Sequence, residues 1–275
     1  MLTRGGHRID YQESGEGPAI LFVPGSFSTP MAWRGVQKHL PPHYRFVGTS
    51  LCGYGETEET RTLDDLGMHH QTRVIEAVAE KINAPVHLVG HSFGGTIALA
   101  TALCGNIDVL SIATFEANPL AVMRERSQTG LYETTRRMSE EFESAYRAGE
   151  RDAAKRIIDF WGGKYSFRNM PEAVQEYCRA STYANVLDWR TAFRFEASMA
   201  DYAGLNTPVL LVRGASANAA MVEITDALSD SLDNCRTAIV DGASHFLITT
   251  HARECARLLS DFFAGITGEA DVDGR

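Results

Sequence analysis

Val86-His87-Leu88-Val89-Gly90-His91-Ser92-Phe93-Gly94-Gly95-Thr96-Ile97-Ala98-Leu99-Ala100 is the stretch whose reading decides the fold. A short β-branched run ends at a glycine, a serine follows between further glycines, and an Ala/Leu-rich helix former begins. Gly90-x-Ser92-x-Gly94 thus has a strand before it and a helix after it, the context that gives a G-x-S-x-G pattern meaning. A serine on so sharp a turn has strained backbone angles. Side chains two positions before and after would collide, so glycines stand there. The hydroxyl is left clear of the backbone at a helix N-terminus, where N–H groups and the helix dipole favour negative charge. An incidental serine in a glycine-rich turn is the plain alternative; strand, helix and the third glycine count against it.

On either side the same alternation continues. Residues 8–13 alternate like an edge strand, and residues 19–23 form a continuous apolar run expected of a buried parallel strand. That run empties into the loop Pro24-Gly25-Ser26-Phe27-Ser28-Thr29. Residues 44–49 are the next strand, and an amphipathic helix is expected over 63–82, closed by Asn83-Ala84-Pro85. After the nucleophile turn come a helix to about Cys104 and a buried strand over 109–115. From Leu120 to about Tyr202 strand signals stop, and roughly four helices are expected (133–147, 151–160, 171–182 and 183–199). Strands resume at 208–213 and 236–240, with helices over 221–231 and 252–263, and the tail from Gly265 is polar and expected to be disordered. Strands alternating with helices define an α/β class: a mostly parallel, doubly wound sheet of about eight strands with an inserted all-α segment. Active sites in such sheets lie beyond the carboxyl ends of the strands.

With 275 residues and a net charge of −9, the chain can bury a large core and is a poor match for nucleic acid or an anionic membrane. No apolar run approaches the ~20 residues needed to span a bilayer, and Met1–His7 has no apolar signal core. The five cysteines, Cys52, Cys104, Cys178, Cys235 and Cys255, are odd in number, widely spaced and lack a C-x-x-C. They point to reduced thiols in a cytoplasmic protein, with neither a disulfide frame nor a zinc site. A homo-oligomer is left open.

Taken together, Gly90-His91-Ser92-Phe93-Gly94-Gly95, the loop Val23-Pro24-Gly25-Ser26-Phe27, the loop Gly53-Tyr54-Gly55 and the late Gly242-Ala243-Ser244-His245-Phe246 resemble the α/β-hydrolase family. The resemblance covers about Ile9 to Phe263. It divides the chain into a core (1–118 and 204–264) and a helical cap (119–203) inserted after the sixth core strand, and it implies acyl-transfer chemistry at Ser92 without fixing a substrate. Serine needs a base to take its proton during attack, and His245, after the last strand, is the candidate. His69 and His70 are adjacent and so cannot share a helix face as an i, i+4 metal pair would; His91 fills a variable motif position. His7, His39, His43, His87 and His251 have no partner pattern. The developing oxyanion needs two N–H donors: Phe93, after the nucleophile, and Ser26 in the loop after the first buried strand, with Phe27 as runner-up. Relatives commonly have His-Gly where this chain has Pro24-Gly25, a change that backbone donors survive.

The acid departs from the family's commonest pattern. Val212-Arg213-Gly214-Ala215-Ser216-Ala217-Asn218-Ala219, after the seventh strand, holds no carboxylate. A second family location lies after the sixth strand, where this chain has Glu116, and Ser92…Glu116…His245 keeps the family order. Asn218, a neutral partner, is the alternative, and Asp241 is read as structural. Ser50 and Cys52 replace an Asp and an Arg that usually brace the loops, which leaves that bracing altered; nothing in the sequence would depress the Cys52 thiol.

Three functions are weighed. The first is a serine hydrolase acting on a carboxylic ester or lactone through an acyl-enzyme on Ser92, with no metal and no cofactor. The second is carbon–carbon bond hydrolysis of a diketone-type substrate, disfavoured by Phe246 where such relatives have Trp. The third is a non-catalytic ligand binder, supported by the missing acid. Trp161, Tyr165, Phe167, Tyr183, Trp189, Phe193, Phe195 and Met199 are the cap's aromatic and apolar supply for a pocket, more than half of them expected to serve helix packing. The expected partner is therefore a small apolar or aromatic ester or lactone.

Overall fold

The computed structural model describes residues 1–127 and 129–267. In chain order the strands are β1 (Leu2–Arg4), β2 (His7–Ile9), β3 (Gln12–Ser14), β4 (Ala19–Val23), β5 (Arg45–Gly48), β6 (Val86–His91), β7 (Val109–Phe115), β8 (Val209–Gly214) and β9 (Cys235–Val240). Seven form one sheet in the order β3-β5-β4-β6-β7-β8-β9, with only β3 antiparallel to its neighbour. The apolar runs β4 and β6 are buried along their whole length, as strands covered on both faces must be.

The longer helices are α1 (His69–Ile82), α2 (Phe93–Cys104), α3 (Thr129–Arg147), α4 (Lys155–Gly162), α5 (Glu172–Ala180), α6 (Thr182–Arg194), α7 (Ala219–Ser231) and α8 (Ala252–Thr267). Alternate strand residues face opposite layers. Leu21, Leu88, Ile112 and Leu211 pack with Ile75 and Val78 of α1, Ile97 of α2 and Leu228 of α7. Phe22, Val89, Ala113 and Val212 pack with Trp33 and with Leu259 and Phe263 of α8. Among the described residues no strand lies between β7 and β8; α3 to α6 and three shorter helices fill that interval. No described helix is long and apolar enough to cross a membrane.

Three boundaries differ from expectation. The edge strand over 8–13 is divided at Asp10. That residue is diverted into the loop after β5: its amide donates to Thr57 Oγ1 (3.0 Å), and its carboxylate accepts from Ser50 Oγ (2.7 Å). β2 therefore pairs with β1 in a separate two-stranded ribbon, and only β3 joins the sheet, which has seven strands where about eight were expected. Helix α1 starts at His69, not near residue 63, because Thr62 and Asp65 exchange backbone bonds in a turn ahead of Gly67. Helix α8 continues through Gly265 to Thr267; the rest of the tail expected to be disordered lies outside the described residues.

Register positions the site. Gly90 pairs with Thr114 and His91 with Phe115, while Phe115 pairs with Val212. The ladder then runs one residue further: Ser92 N donates to Phe115 O (2.9 Å) and Glu116 N to Val212 O (2.8 Å). Ser92 and Glu116 thus leave the same edge of neighbouring strands.

Candidate active site

Ser92 stands between β6 and α2 with φ 54° and ψ −127°, the strained turn expected of this motif. The glycines around it are there for contact. A Cβ on Gly90 would lie 2.4 Å from Gly94 O, and one on Gly94 would lie 2.2 Å from Pro24 O. Gly94 lets the turn press against the loop after β4, which carries Ser26. Gly25 of that loop sits close enough to Ser92 that its own Cβ would be 3.0 Å from Ser92 Cβ.

Ser92 Oγ lies 3.0 Å from His245 Nε2, and His245 Nδ1 lies 2.7 Å from Glu116 Oε2. All three side chains are buried. Glu116 Oε1 accepts from Gly214 N (2.9 Å), so both carboxylate oxygens are held. Burial pushes this carboxyl up, but the hydrogen bond and charge of His245, with the Gly214 N–H, outweigh it and hold Glu116 below its ordinary value. An ionised Glu116 makes Nδ1 the protonated ring nitrogen and leaves Nε2 to accept the Ser92 O–H. Asn218 is elsewhere: its Oδ1 caps α7 by accepting from Ala220 N, and its Nδ2 donates to Phe160 O. Asp241 is exposed in its turn.

His91 is more than a motif filler. Its Nε2 lies 2.8 Å from the carbonyl oxygen of His245, and the two rings are tilted against each other with centroids 4.8 Å apart. Burial and the nearby His245 push the His91 imidazole down to about 3, so it stays neutral and donates that bond. The Trp161 ring lies 5.7 Å from that of His245 and stacks nearly parallel on Trp189 (6.0 Å, 3°).

Neither the Phe93 nor the Ser26 amide donates to a protein acceptor among the described residues. Both residues, with Ser92 and His245, line a cavity of about 590 Å³. Its walls come from α4 and α6 (Ile157, Trp161, Trp189) and from Met170 and Val174. Of the expected aromatic supply, Trp161 and Trp189 face this cavity. Phe167 is buried in a separate small cluster, Tyr165 and Tyr183 are exposed, and Phe193 and Met199 pack against the core.

A polar cluster beside the cavity was not legible beforehand. Asp188 of α6 is buried and accepts from Ser26 Oγ (2.5 Å), Tyr54 OH (2.6 Å) and Arg61 Nη1 (2.7 Å). Burial raises the Asp188 carboxyl; the Arg61 charge and the two hydroxyl donors oppose that. Arg61 also donates to Cys52 O (3.1 Å) and to both oxygens of Glu59. The altered loop bracing is thereby answered: Ser50 holds Asp10, and the arginine comes from nine residues beyond Cys52. Cys52 is buried, with its thiol pushed up to about 11 by burial. His69 and His70 are not kept apart by adjacency: their rings lie tilted with centroids 4.2 Å apart, and their Nε2 atoms are 3.7 and 3.1 Å from Asp65 Oδ2.

A sheet of this order, with a serine on its strained turn and a histidine–carboxylate pair behind it, defines an α/β-hydrolase. The chain belongs to the alpha/beta hydrolase family, whose model matches residues 20–258. It is similar to human monoacylglycerol lipase ABHD6, 24% identical across 97% of this chain and 83% of the relative. In structure it resembles a thermophilic esterase from Thermogutta terrifontis (TM-score 0.75, 17% identity, 96% of each chain covered). It also resembles a meta-cleavage product hydrolase from Pseudomonas fluorescens IP01 (TM-score 0.70, 18% identity, 97% of this chain and 96% of that one).

Proposed function

We propose that the protein is a serine hydrolase that cleaves a carboxylic ester or lactone with an apolar acyl or aromatic portion. The observation that carries this is the chain of contacts Ser92 Oγ–His245 Nε2 and His245 Nδ1–Glu116 Oε2, buried beside an apolar cavity. Ser92 Oγ attacks the carbonyl carbon while His245 Nε2 takes its proton. Glu116 holds the ring and stabilises the imidazolium. The carbonyl π pair becomes an oxyanion facing the Phe93 and Ser26 amides. Collapse expels the alcohol, which receives the proton from His245, and leaves an acyl group on Ser92. Water, deprotonated by the same histidine, then releases the acid. The helical segment 119–203 acts as a cap over the core (1–118 and 204–264), and its Trp161 and Trp189 select apolar substrates. Five unpaired cysteines accord with a reducing, cytoplasmic setting.

The case for a non-catalytic binder rests on the missing carboxylate after β8; Glu116 stands where that carboxylate is needed. Ser92→Ala tests the reading. Turnover of p-nitrophenyl esters and labelling by a fluorophosphonate are expected to vanish together, and a variant that still labels would refute it.

A further inference from the structure

Ser26 belongs to two systems at once. Its amide is one of the two oxyanion donors of the proposed serine hydrolase, and the role of Asp188 rests on that proposed function. Its hydroxyl is tied 2.5 Å from Asp188, which belongs not to the sheet but to α6, 162 residues away in the chain. Asp188 is buried, and each of its oxygens is engaged within the protein: Oδ2 by Ser26 and Tyr54, Oδ1 by Arg61. Its carboxylate accepts three of these bonds, two at Oδ2 and one at Oδ1, while the residue also lines the cavity. It is built to hold its donors. Those donors come from the loop after β4 and from the loop after β5, and Arg61 also grips α6 itself through Ala184 O. The cluster therefore joins three segments that share no secondary structure.

The loop it holds is under strain. Phe27, next to Ser26, has φ 58°, and its ring rests edge-on against Tyr54 at 6.4 Å. A non-glycine residue in that region persists only where its surroundings over-determine it. The Ser26 hydroxyl and the Phe27 ring are both held by groups of the Asp188 cluster.

We propose that Asp188 is a positioning residue for the oxyanion site: through the Ser26 hydroxyl it sets the place of the Ser26 amide, so that helix α6 of the inserted segment helps to complete the catalytic machinery of the core. Arg61 opposes the burial that raises this carboxyl and aims it, and Tyr54 shares its second oxygen. The Ser26 hydroxyl is thereby a tether; the backbone amide is the donor to the oxyanion. A donor displaced by a fraction of an ångström stabilises the tetrahedral intermediate less while leaving ground-state binding nearly unchanged.

The test uses Ser26→Ala and Asp188→Asn beside the wild type. The readouts are kcat and KM on an alkyl ester and Ki for an alkyl trifluoromethyl ketone. Ser92 adds to that ketone: an O–C bond forms, the serine proton passes to His245, and the carbonyl π pair becomes an oxyanion in the place of the intermediate's. Ser26→Ala keeps the amide and removes only the tether. For both variants kcat is expected to fall by about 10–100-fold with KM within about threefold, and Ki to rise by a similar factor. Unchanged kcat and Ki in Ser26→Ala overturns the proposal. So does a fall in kcat without a rise in Ki, since the loss then lies outside the oxyanion site. A raised KM at constant kcat makes Asp188 a binding residue and also overturns it. If Asp188→Asn does not fold, Ser26→Ala decides alone. A wild type that neither cleaves the ester nor binds the ketone refutes the esterase reading itself, and the proposal with it.

Discussion

At Ser92 the backbone holds φ 54°, at Glu116 φ 52° and at Phe27 φ 58°. Half of the six non-glycine residues with positive φ among the described residues thus lie at one site, where surrounding structure must hold them in place. Glu116 has the narrowest chemical requirement. Its two oxygens face two donors, His245 Nδ1–H and Gly214 N–H. A glutamine can satisfy one of them, and its NH₂ then opposes the other or forces the wrong imidazole tautomer. Glu116→Gln is expected to lower kcat on an ester by about 10²–10⁴-fold. Asn218→Ala removes a helix cap and a bond to Phe160 O; it should lower stability by about 1 kcal/mol and leave kcat within about threefold. The reverse ranking of the two variants would remove Glu116 from the acid's role.

Among the elements, the strand–turn–helix of β6 and α2 decides most. Its glycines are not interchangeable with other glycines of the chain. A methyl group on Gly94 would lie 2.2 Å from Pro24 O and 2.6 Å from Val23 O, both backbone atoms that cannot step aside. Gly130, in the first turn of α3, has nothing within 4 Å of its Cβ position. Gly94→Ala should therefore destabilise the protein by ~3 kcal/mol or more, lowering Tm by about 6–12 °C for a chain of this size. Gly130→Ala should stay within about 1 kcal/mol of wild type, on the stabilising side. Thermal unfolding of the two variants measures the difference; equal effects would mean that the close approach at Gly94 is not maintained.

Across the whole molecule, a charge excluded from the core should show in the pH dependence of stability. His87 of β6 is buried, bonded to Ser111 Oγ at 2.8 Å and packed on Phe263 at 4.3 Å. Burial pushes its imidazole down to about 4. Between pH 6.5 and 4 the unfolded chain binds a proton at this residue that the folded chain does not, so stability falls as pH falls through that window and is unaffected by it above about pH 7. At pH 5 the contribution is on the order of 1–2 kcal/mol. Chemical denaturation at pH 7 and pH 5 should show His87→Gln losing less stability than wild type by that amount. Equal losses would assign the pH dependence to other groups.

The stretch 86–100 determined its own conformation, because a β-branched run, three close-packed glycines and an Ala/Leu-rich helix former act through local sterics and hydrophobic periodicity. The apolar runs of β4, β7 and β8 likewise announced an α/β sheet, since burial on both faces leaves a pattern in composition. Glu116 and Asn218 could not be separated that way. Which of them meets His245, 129 residues from Glu116, depends on β7 lying beside β6 in a register that sends Ser92 and Glu116 off the same edge. Residues 8–13 alternate as one strand, yet Asp10 is drawn off by Ser50 and Thr57, partners that sequence periodicity does not contain. The Asp188–Arg61–Ser26–Tyr54 cluster belongs to the same class. Each member is an ordinary polar residue in its own segment, and only packing the inserted helices onto the loops buries their charges together and compels them to satisfy one another.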